Sequence, residues 1–190
     1  MMHGLLIVLS GPSGVGKGTM YAKLLRAMPD LRVSVSATTR KPRAGEKDGV
    51  HYYFMTKEKF VAEREQGEFL EWAETVGNYY GTPKKPVIDT LASGKDVLLE
   101  IDVKGARQVK AAYPDCVTIF VLPPSEEELS RRLKGRGTES DEQVAARLAL
   151  AKSEIAVSGE FDYRVVNDDL TEAVNKVIDI VNSIKGAKKC

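Results

Sequence analysis

The sequence predicts an α/β fold, a parallel β-sheet with helices on both faces. Three observations predict it. Short apolar runs alternate with helical patterns along most of the chain. The runs are apolar at successive positions, as in strands buried on both faces. A glycine-rich loop joins the first run to a helix. At 190 residues the chain suits one compact domain carrying an insertion.

The elements follow in order. Residues 5–9 read as a buried strand, continuous and partly β-branched. The loop at 11–18 comes next, then a helix from about 19 to 28. Residues 34–82 break the rhythm. They are rich in Thr, Arg, Gly and Tyr, with a short run at 52–54 and a helical stretch near 57–66, and read as a small mixed α+β insertion. Residues 97–101 and Val117–Leu122 are further buried strands, and 164–166 a short fourth. Ser125 followed three residues later by Glu128 forms a capping box that opens a helix to about Lys134. From Asp141 to about Val157, Val144, Leu148, Ala151 and Ile155 recur at helical spacing. Val174, Val177, Ile178, Val181 and Ile184 give the last helix its apolar stripe. Polar, glycine-bearing residues 135–142 read as a loop or lid, and 185–190 as a frayed tail. The expected division is a core at 1–33, 83–134 and 158–190, an insertion at 34–82, and a helical lid at about 135–157.

Composition excludes some functions. A net charge of +1 argues against a broad basic surface for duplex nucleic acid, whereas a small anionic substrate needs only a local cluster of cations. Cys116 and Cys190 have no CxxC spacing and no His neighbours, which argues against a metal cluster and for a reducing compartment. The run at 5–9 is too short for a signal-peptide core or a membrane span. A cytoplasmic protein is expected, without nucleic-acid or membrane partners, as a monomer or small homo-oligomer.

The strongest motif is Gly11-Pro12-Ser13-Gly14-Val15-Gly16-Lys17-Gly18-Thr19, between a buried strand and a helix, the setting of a phosphate-binding P-loop. Glycines let successive backbone N–H groups turn inward toward an anion. The helix adds its free N–H groups and its positive dipole end. Lys17 supplies a mobile point charge. Gly18 stands where the strict motif has Ser or Thr, so the hydroxyl that would bind Mg²⁺ falls to Thr19 or is replaced by water. The motif indicates a nucleotide without choosing among kinases, GTPases and ATPases.

The insertion carries the acceptor chemistry. Arg40 and Arg43 lie three apart beyond Ser34-Val35-Ser36-Ala37-Thr38-Thr39, and arginine matches phosphate oxygens with a planar fork. Tyr52 and Tyr53 follow, then Phe69-Leu70-Glu71-Trp72 and Gly77-Asn78-Tyr79-Tyr80-Gly81-Thr82. Read alone, the arginines equally fit surface charge, and Glu71 a solvated strand position. Tyr79 and Tyr80 point to opposite sides of a strand, so one suits a core and the other, Tyr80, a site. Trp72 reads as core, and His3 and His51 carry no partner signal.

Together the GPSG loop, SATTRKPRAGE, FLEW, GNYYGT, LLEID, GRGTE and VVND segments make the sequence resemble the guanylate kinase family, in family order over about residues 5–184. The resemblance implies a P-loop NTPase sheet flanked by helices, a small GMP-binding insertion and a helical lid. It implies transfer of the γ-phosphoryl group of ATP, with Mg²⁺, to GMP. It implies that Arg40, Arg43, Tyr52 and Tyr80 bind the GMP phosphate. Glu71 would accept from guanine N1–H and the 2-amino group, and Ser36 and Thr82 would contact the O6 region. Adenine offers a lone pair at N1 and no 2-amino donor, so it would leave a buried carboxylate unpaired.

Glu100 and Asp102 close the LLEID strand, and a carboxylate at the carboxyl end of a parallel strand sits at the ligand crevice. By resemblance Asp102 faces the guanine nucleotide and metal region, and Glu100 holds Mg²⁺ waters. A capping or salt-bridged acid is the other reading of Asp102. Arg132, Arg136 and Arg147 surround the polar loop and would neutralise the phosphoryl group in transfer; Arg131 reads as a solvated helix face. Asn167 and Asp168 would lie near adenine or simply form a turn. Two rivals remain at this point. A guanylate-kinase-like scaffold domain that binds phosphopeptides would lack an intact P-loop. A kinase for another acceptor would lack Glu71, Ser36 and Thr82 facing the base.

Overall fold

The structure, a computed structural model, describes residues 3–134 and 141–187. In chain order the strands and helices are β1 Leu6–Ser10, α1 Lys17–Ala27, β2 Arg32–Val33, β3 Ala37–Thr38, β4 Tyr53–Phe54, α2 Lys57–Glu65, β5 Phe69–Thr75 and β6 Asn78–Pro83. There follow α3 Lys84–Ala92, β7 Val97–Glu100, α4 Val103–Ala112, β8 Val117–Leu122, α5 Glu126–Lys134, α6 Asp141–Ala156, β9 Tyr163–Val166 and α7 Leu170–Ala187. Five strands form one sheet in the order β2-β7-β1-β8-β9, and β2 with β7 and β8 with β9 run parallel. This is the parallel sheet flanked by helices that the apolar runs predict. β1 is buried at every residue, as a strand covered on both faces must be. A second sheet has the order β4-β3-β6-β5, with β3 parallel to β4 and β6 antiparallel to both β3 and β5.

The chain divides into two compact units. The first comprises Met1–Ile7, Asp30–Leu99 and Lys104–Cys116; the second comprises Val8–Pro29, Glu100–Val103 and Val117–Cys190.

In the first unit the mixed sheet is stabilised by a small aromatic core. Ala37, Phe60 and Phe69 are buried together, with Tyr53, Met55, Trp72 and Tyr79 packed against them. Phe60, projecting from α2, stacks on Phe69 at 4.4 Å and on Tyr79 at 5.3 Å between ring centroids. Thr56 caps α2, its hydroxyl accepting from the Lys59 N–H at 3.2 Å. A side chain at Gly81 would place its Cβ 2.9 Å from the Glu71 carbonyl oxygen and 3.1 Å from Phe60. Gly81→Ala is therefore expected to pry β5 from β6 and to cost about 1–3 kcal/mol of stability. Thermal unfolding checks this; an unchanged midpoint would mean that the strand pair tolerates the closer approach.

In the second unit α5 and α6 pack through Leu129, Leu133, Val144 and Ala151, flanked by Leu148 and Ile155. These include the apolar positions that the spacing assigns to α6. Phe120 of β8 meets Phe161 edge-on at 5.0 Å. Asp162 accepts from both the N–H and the hydroxyl of Thr118, each at 2.8 Å, tying the approach to β9 to β8.

Some expectations change. α1 begins at Lys17, two residues before the expected start, because Gly16 takes φ 98° and turns the loop directly into the first helical turn. α3 and α4 are helices that the sequence reading does not name. Pro86 in the first turn of α3 resembles a break, though proline is tolerated there. Gly105 similarly weakens the helical pattern of α4. Ser125 Oγ accepts from the Glu128 N–H at 3.1 Å, but the Glu128 carboxylate is engaged by Arg131 and Arg132, so one half of the capping box is made. The last helix runs to Ala187, which corrects the frayed tail over 185–187; residues 188–190 lie outside the described residues. Among the described residues, no helix is long and apolar enough to cross a membrane.

Candidate active site

The glycine-rich loop lies between β1 and α1 in the second unit. Gly11, Gly14 and Gly16 take φ values of 147°, 85° and 98°. A Cβ on Gly11 would stand 2.5 Å from the Val121 carbonyl oxygen, so conformation and space both require glycine there. Pro12, Ser13, Gly14, Gly16, Lys17, Gly18, Thr19 and Glu100 line a cavity of about 440 Å³. Val15 points the other way and is fully buried.

The Lys17 ammonium donates to the carbonyls of Gly11 and Pro12 across the loop, the latter at 3.1 Å. Burial holds its pKa below the ordinary lysine value, opposed by the charges of Glu100, Glu154 and Asp102. Burial raises the Glu100 carboxyl above its ordinary value, and Lys17 draws it back. Glu100 Oε1 lies 3.9 Å from where a Cβ on Gly18 would stand. The absent side chain thus keeps the acid next to the first turn of α1, where Thr19 also lies.

The loop is braced from behind. The Asn167 amide donates to the Val15 carbonyl at 2.8 Å, and the Arg132 guanidinium donates to the Asn167 carbonyl at 3.1 Å and the Val15 carbonyl at 3.4 Å. Asn167 is 4% exposed, and its Oδ1 has no hydrogen-bond partner among the described residues. Glu128 holds Arg132 at 2.7 Å and grips Arg131 with both oxygens, and these hydrogen bonds bring its carboxyl to about 2. Arg147 is half-buried on α6. Arg136 lies outside the described residues.

Glu154 was not singled out by the sequence. Its carboxyl is raised by burial, lowered by Lys17 and raised again by Asp102, which places its charge within reach of both. It stands seven residues beyond Arg147, two turns along one face of α6, and that spacing was the available signal.

The first unit holds the candidate acceptor residues. Arg40 follows β3, and its guanidinium lies 5.5 Å over the Tyr52 ring and 5.9 Å from that of Phe54. Tyr52 meets Tyr80 edge-on at 6.2 Å. Arg40 is held above its ordinary pKa chiefly by its bond to Glu46, with Tyr80 adding to this. The Glu46 carboxylate takes both Arg40 nitrogens, at 2.9 and 3.0 Å, and accepts the Arg43 N–H at 2.7 Å. So Arg40, Tyr52 and Tyr80 are brought together, and Arg43 is joined to them through Glu46, an acid the sequence reading passed over. Tyr79 faces the opposite side, in the aromatic core.

β5 pairs with β6 so that Glu71 lies opposite Thr82. The Thr82 hydroxyl, 2% exposed, donates to Glu71 Oε1 at 2.6 Å and orients that carboxylate. The half-buried Ser36 precedes β3, and its carbonyl accepts from the Tyr53 N–H at 2.9 Å.

The guanylate kinase family model matches residues 3–184, nearly the whole chain. The chain belongs to the guanylate kinase family. Guanylate kinases of Synechocystis sp. and Desulfitobacterium hafniense are each 54% identical to it; the aligned regions cover 95% and 99% of this chain, and 94% and 92% of those proteins. The crystal structure of guanylate kinase from Anaplasma phagocytophilum superposes with a TM-score of 0.72 at 38% identity, covering 96% of this chain and 86% of that one. A guanylate kinase is an enzyme that moves the γ-phosphoryl group of ATP to GMP, giving ADP and GDP, and this membership assigns the chain that reaction.

In this guanylate kinase Glu46 titrates far from its usual range. Its hydrogen bonds to the Arg40 guanidinium, with the Arg43 N–H adding to them, hold its carboxyl well below the usual carboxylate range, at about 2. A folded pKa below the unfolded one means that the Arg40–Glu46 contribution to stability is full above about pH 4.5 and is lost as pH falls toward 2. A carbon-13 carboxyl titration is expected to show Glu46 still ionised at pH 3.5. An ordinary midpoint near 4.5 would mean that the pair does not form in solution.

Proposed function

We propose that the insertion binds GMP and that the P-loop unit binds ATP with Mg²⁺. The observation that carries the acceptor assignment is the composition of one small sheet. It holds a cation-and-tyrosine cluster suited to a phosphate and, on neighbouring strands, a carboxylate oriented by a hydroxyl. In this reading Arg40, Arg43, Tyr52 and Tyr80 hold the GMP phosphate, and Glu46 presents the two arginines. Glu71 accepts from guanine N1–H and the 2-amino group, with Ser36 toward O6 and Thr82 beside it, its one hydroxyl proton going to Glu71. Asp102 faces the guanine nucleotide. The segments 34–82 and 135–157 serve as GMP-binding insertion and lid, residues 135–140 lying outside the described residues.

Residues 11–19 cradle the ATP phosphates through backbone N–H groups, and Lys17 exchanges its carbonyl partners for phosphate oxygens. Asn167 and Arg132 keep the loop in its binding shape, and the Asn167 Oδ1 provides an acceptor on the ATP side. Arg132, Arg136 and Arg147 offset the charge of the phosphoryl group in transfer, the term that dominates this class of reaction. No general base is required, because a phosphate monoester with a second pKa near ~6 is already an oxyanion nucleophile.

The residues present fit Mg²⁺. The cavity offers a carboxylate from Glu100 and a hydroxyl from Thr19, all-oxygen donors, and among the described residues no group of three or more His, Cys, Asp or Glu forms a protein cage. Such a set suits an ion that keeps its waters and is shared with substrate phosphates. Glu100 and Thr19 would hold Mg²⁺ there, directly or through its waters, and the ion would supply neutralisation of phosphate charge. The same reading places the protein in the reducing cytoplasm as a monomer or small homo-oligomer, without nucleic-acid or membrane partners.

The testing experiment measures ADP formation from Mg²⁺ and ATP with GMP, AMP, UMP and CMP in parallel. Strong turnover with GMP alone supports the acceptor reading. Equal rates with AMP would remove Glu71 from base recognition.

A further inference from the structure

We propose that Gln108 is a positioning residue for guanine selectivity, its side-chain amide fixing the open edge of β5 and thereby the backbone that carries Glu71. The inference rests on the reading of Glu71 as the guanine acceptor.

β5 ends the order β4-β3-β6-β5, so one of its edges is unpaired within that sheet. Trp72 sends its N–H and C=O to that edge. There Gln108 Oε1 accepts from the Trp72 N–H at 3.1 Å, and Gln108 Nε2 donates to the Trp72 carbonyl at 3.0 Å. A primary amide offers a donor and an acceptor side by side, as a neighbouring strand does. Gln108, projecting from α4, therefore acts as a one-residue strand that closes an edge otherwise left open.

This edge is where a brace matters. The β5–β6 register shifts between Phe69 and Glu71, so the ladder is irregular immediately before the carboxylate-bearing residue. Beyond the irregularity, Trp72 is held on three sides. Gln108 grips its peptide groups, the Arg64 guanidinium lies 4.7 Å over its ring, and the Phe60 core packs against it. Glu71 precedes Trp72 directly, so a shift of the Trp72 peptide moves the Glu71 backbone. A carboxylate that must meet two donors on one ring edge tolerates little displacement, and misplacement of about 1 Å can cost a large factor in rate.

The test uses the full chain with Gln108→Met, which keeps the length and removes both hydrogen bonds, and with the milder Gln108→Asn, whose shorter amide falls short of Trp72. Expected are faster hydrogen exchange at the Trp72 amide and a GMP KM raised by roughly 10-fold, with the ATP KM within about twofold of the parent. The ratio of kcat/KM for GMP over IMP, which lacks the 2-amino donor, is expected to fall about fivefold. Gln108→Asn keeps the test open if Gln108→Met fails to fold. Faster exchange at Trp72 with unchanged GMP KM and GMP/IMP ratio would reduce Gln108 to a structural tie and overturn the proposal. A parallel Glu71→Gln arm separates the two readings. If Glu71→Gln lowers the ratio and the Gln108 variants do not, this inference alone fails; if Glu71→Gln leaves the ratio unchanged, both fall.

Discussion

Replacing Lys17 with Ala is expected to lower kcat by roughly 10²–10³-fold or more while leaving the fold intact. The ammonium donates to two loop carbonyls, and Lys17 lines the cavity of about 440 Å³. Charge stabilisation supplies most of the barrier reduction in phosphoryl transfer, so losing the mobile cation removes a large part of it. The stability expectation has the opposite sign. Burial lowers the folded pKa of Lys17 below its ordinary value, so the charged amine costs more in the folded state than in the unfolded one. Its removal should therefore leave the thermal midpoint unchanged or raised, while ATP turnover collapses. Rate assays and thermal unfolding on one preparation check both. A near-normal rate would remove Lys17 from the mechanism; a collapsed midpoint would make it a structural residue.

Glu71→Gln is expected to lower kcat/KM for GMP by roughly 10²–10⁴-fold and to leave the ATP KM nearly unchanged. The carboxylate presents acceptors only, and guanine presents two adjacent donors, N1–H and the 2-amino group. Glutamine turns one of those acceptors into a donor facing a donor. The Thr82 hydroxyl, 2.6 Å from Glu71 Oε1, does not relieve the mismatch, since it either accepts from the new amide N–H or keeps donating to the amide oxygen. One amide oxygen cannot serve Thr82 and both guanine donors. AMP, whose N1 is an acceptor, should gain relative to GMP. An unchanged GMP/AMP preference would show that the base is read elsewhere.

The pattern of the glycine-rich loop was legible because its requirements are local. Turns with positive φ, a following helix and a nearby lysine all fall within nine consecutive residues. Strands buried on both faces announce themselves as apolar runs, so β1, β7 and β8 were legible for a similar reason. Tyr79 and Tyr80 were separated by strand alternation alone. α3 and α4 were not legible, since Pro86 and Gly105 weaken their local helical signal while their surroundings decide the outcome.

Side-chain choices among possible partners were least legible. Glu128 sits at the capping-box position, yet its carboxylate turns to Arg131 and Arg132, because two charge-assisted partners outweigh one backbone N–H. Glu46 reads as one more loop acid until the chain brings it against Arg40. Gln108 reads as an ordinary helix residue until a strand 36 positions earlier presents its open edge. The sequence by itself determined the α/β class, the phosphate loop and the residue types able to hold a nucleotide, since periodicity and local turn chemistry encode those. Only the tertiary structure decided which acid faces which cation, how Glu71 is oriented and what braces its strand. Those are energies of contact between distant segments, which leave no period in the sequence.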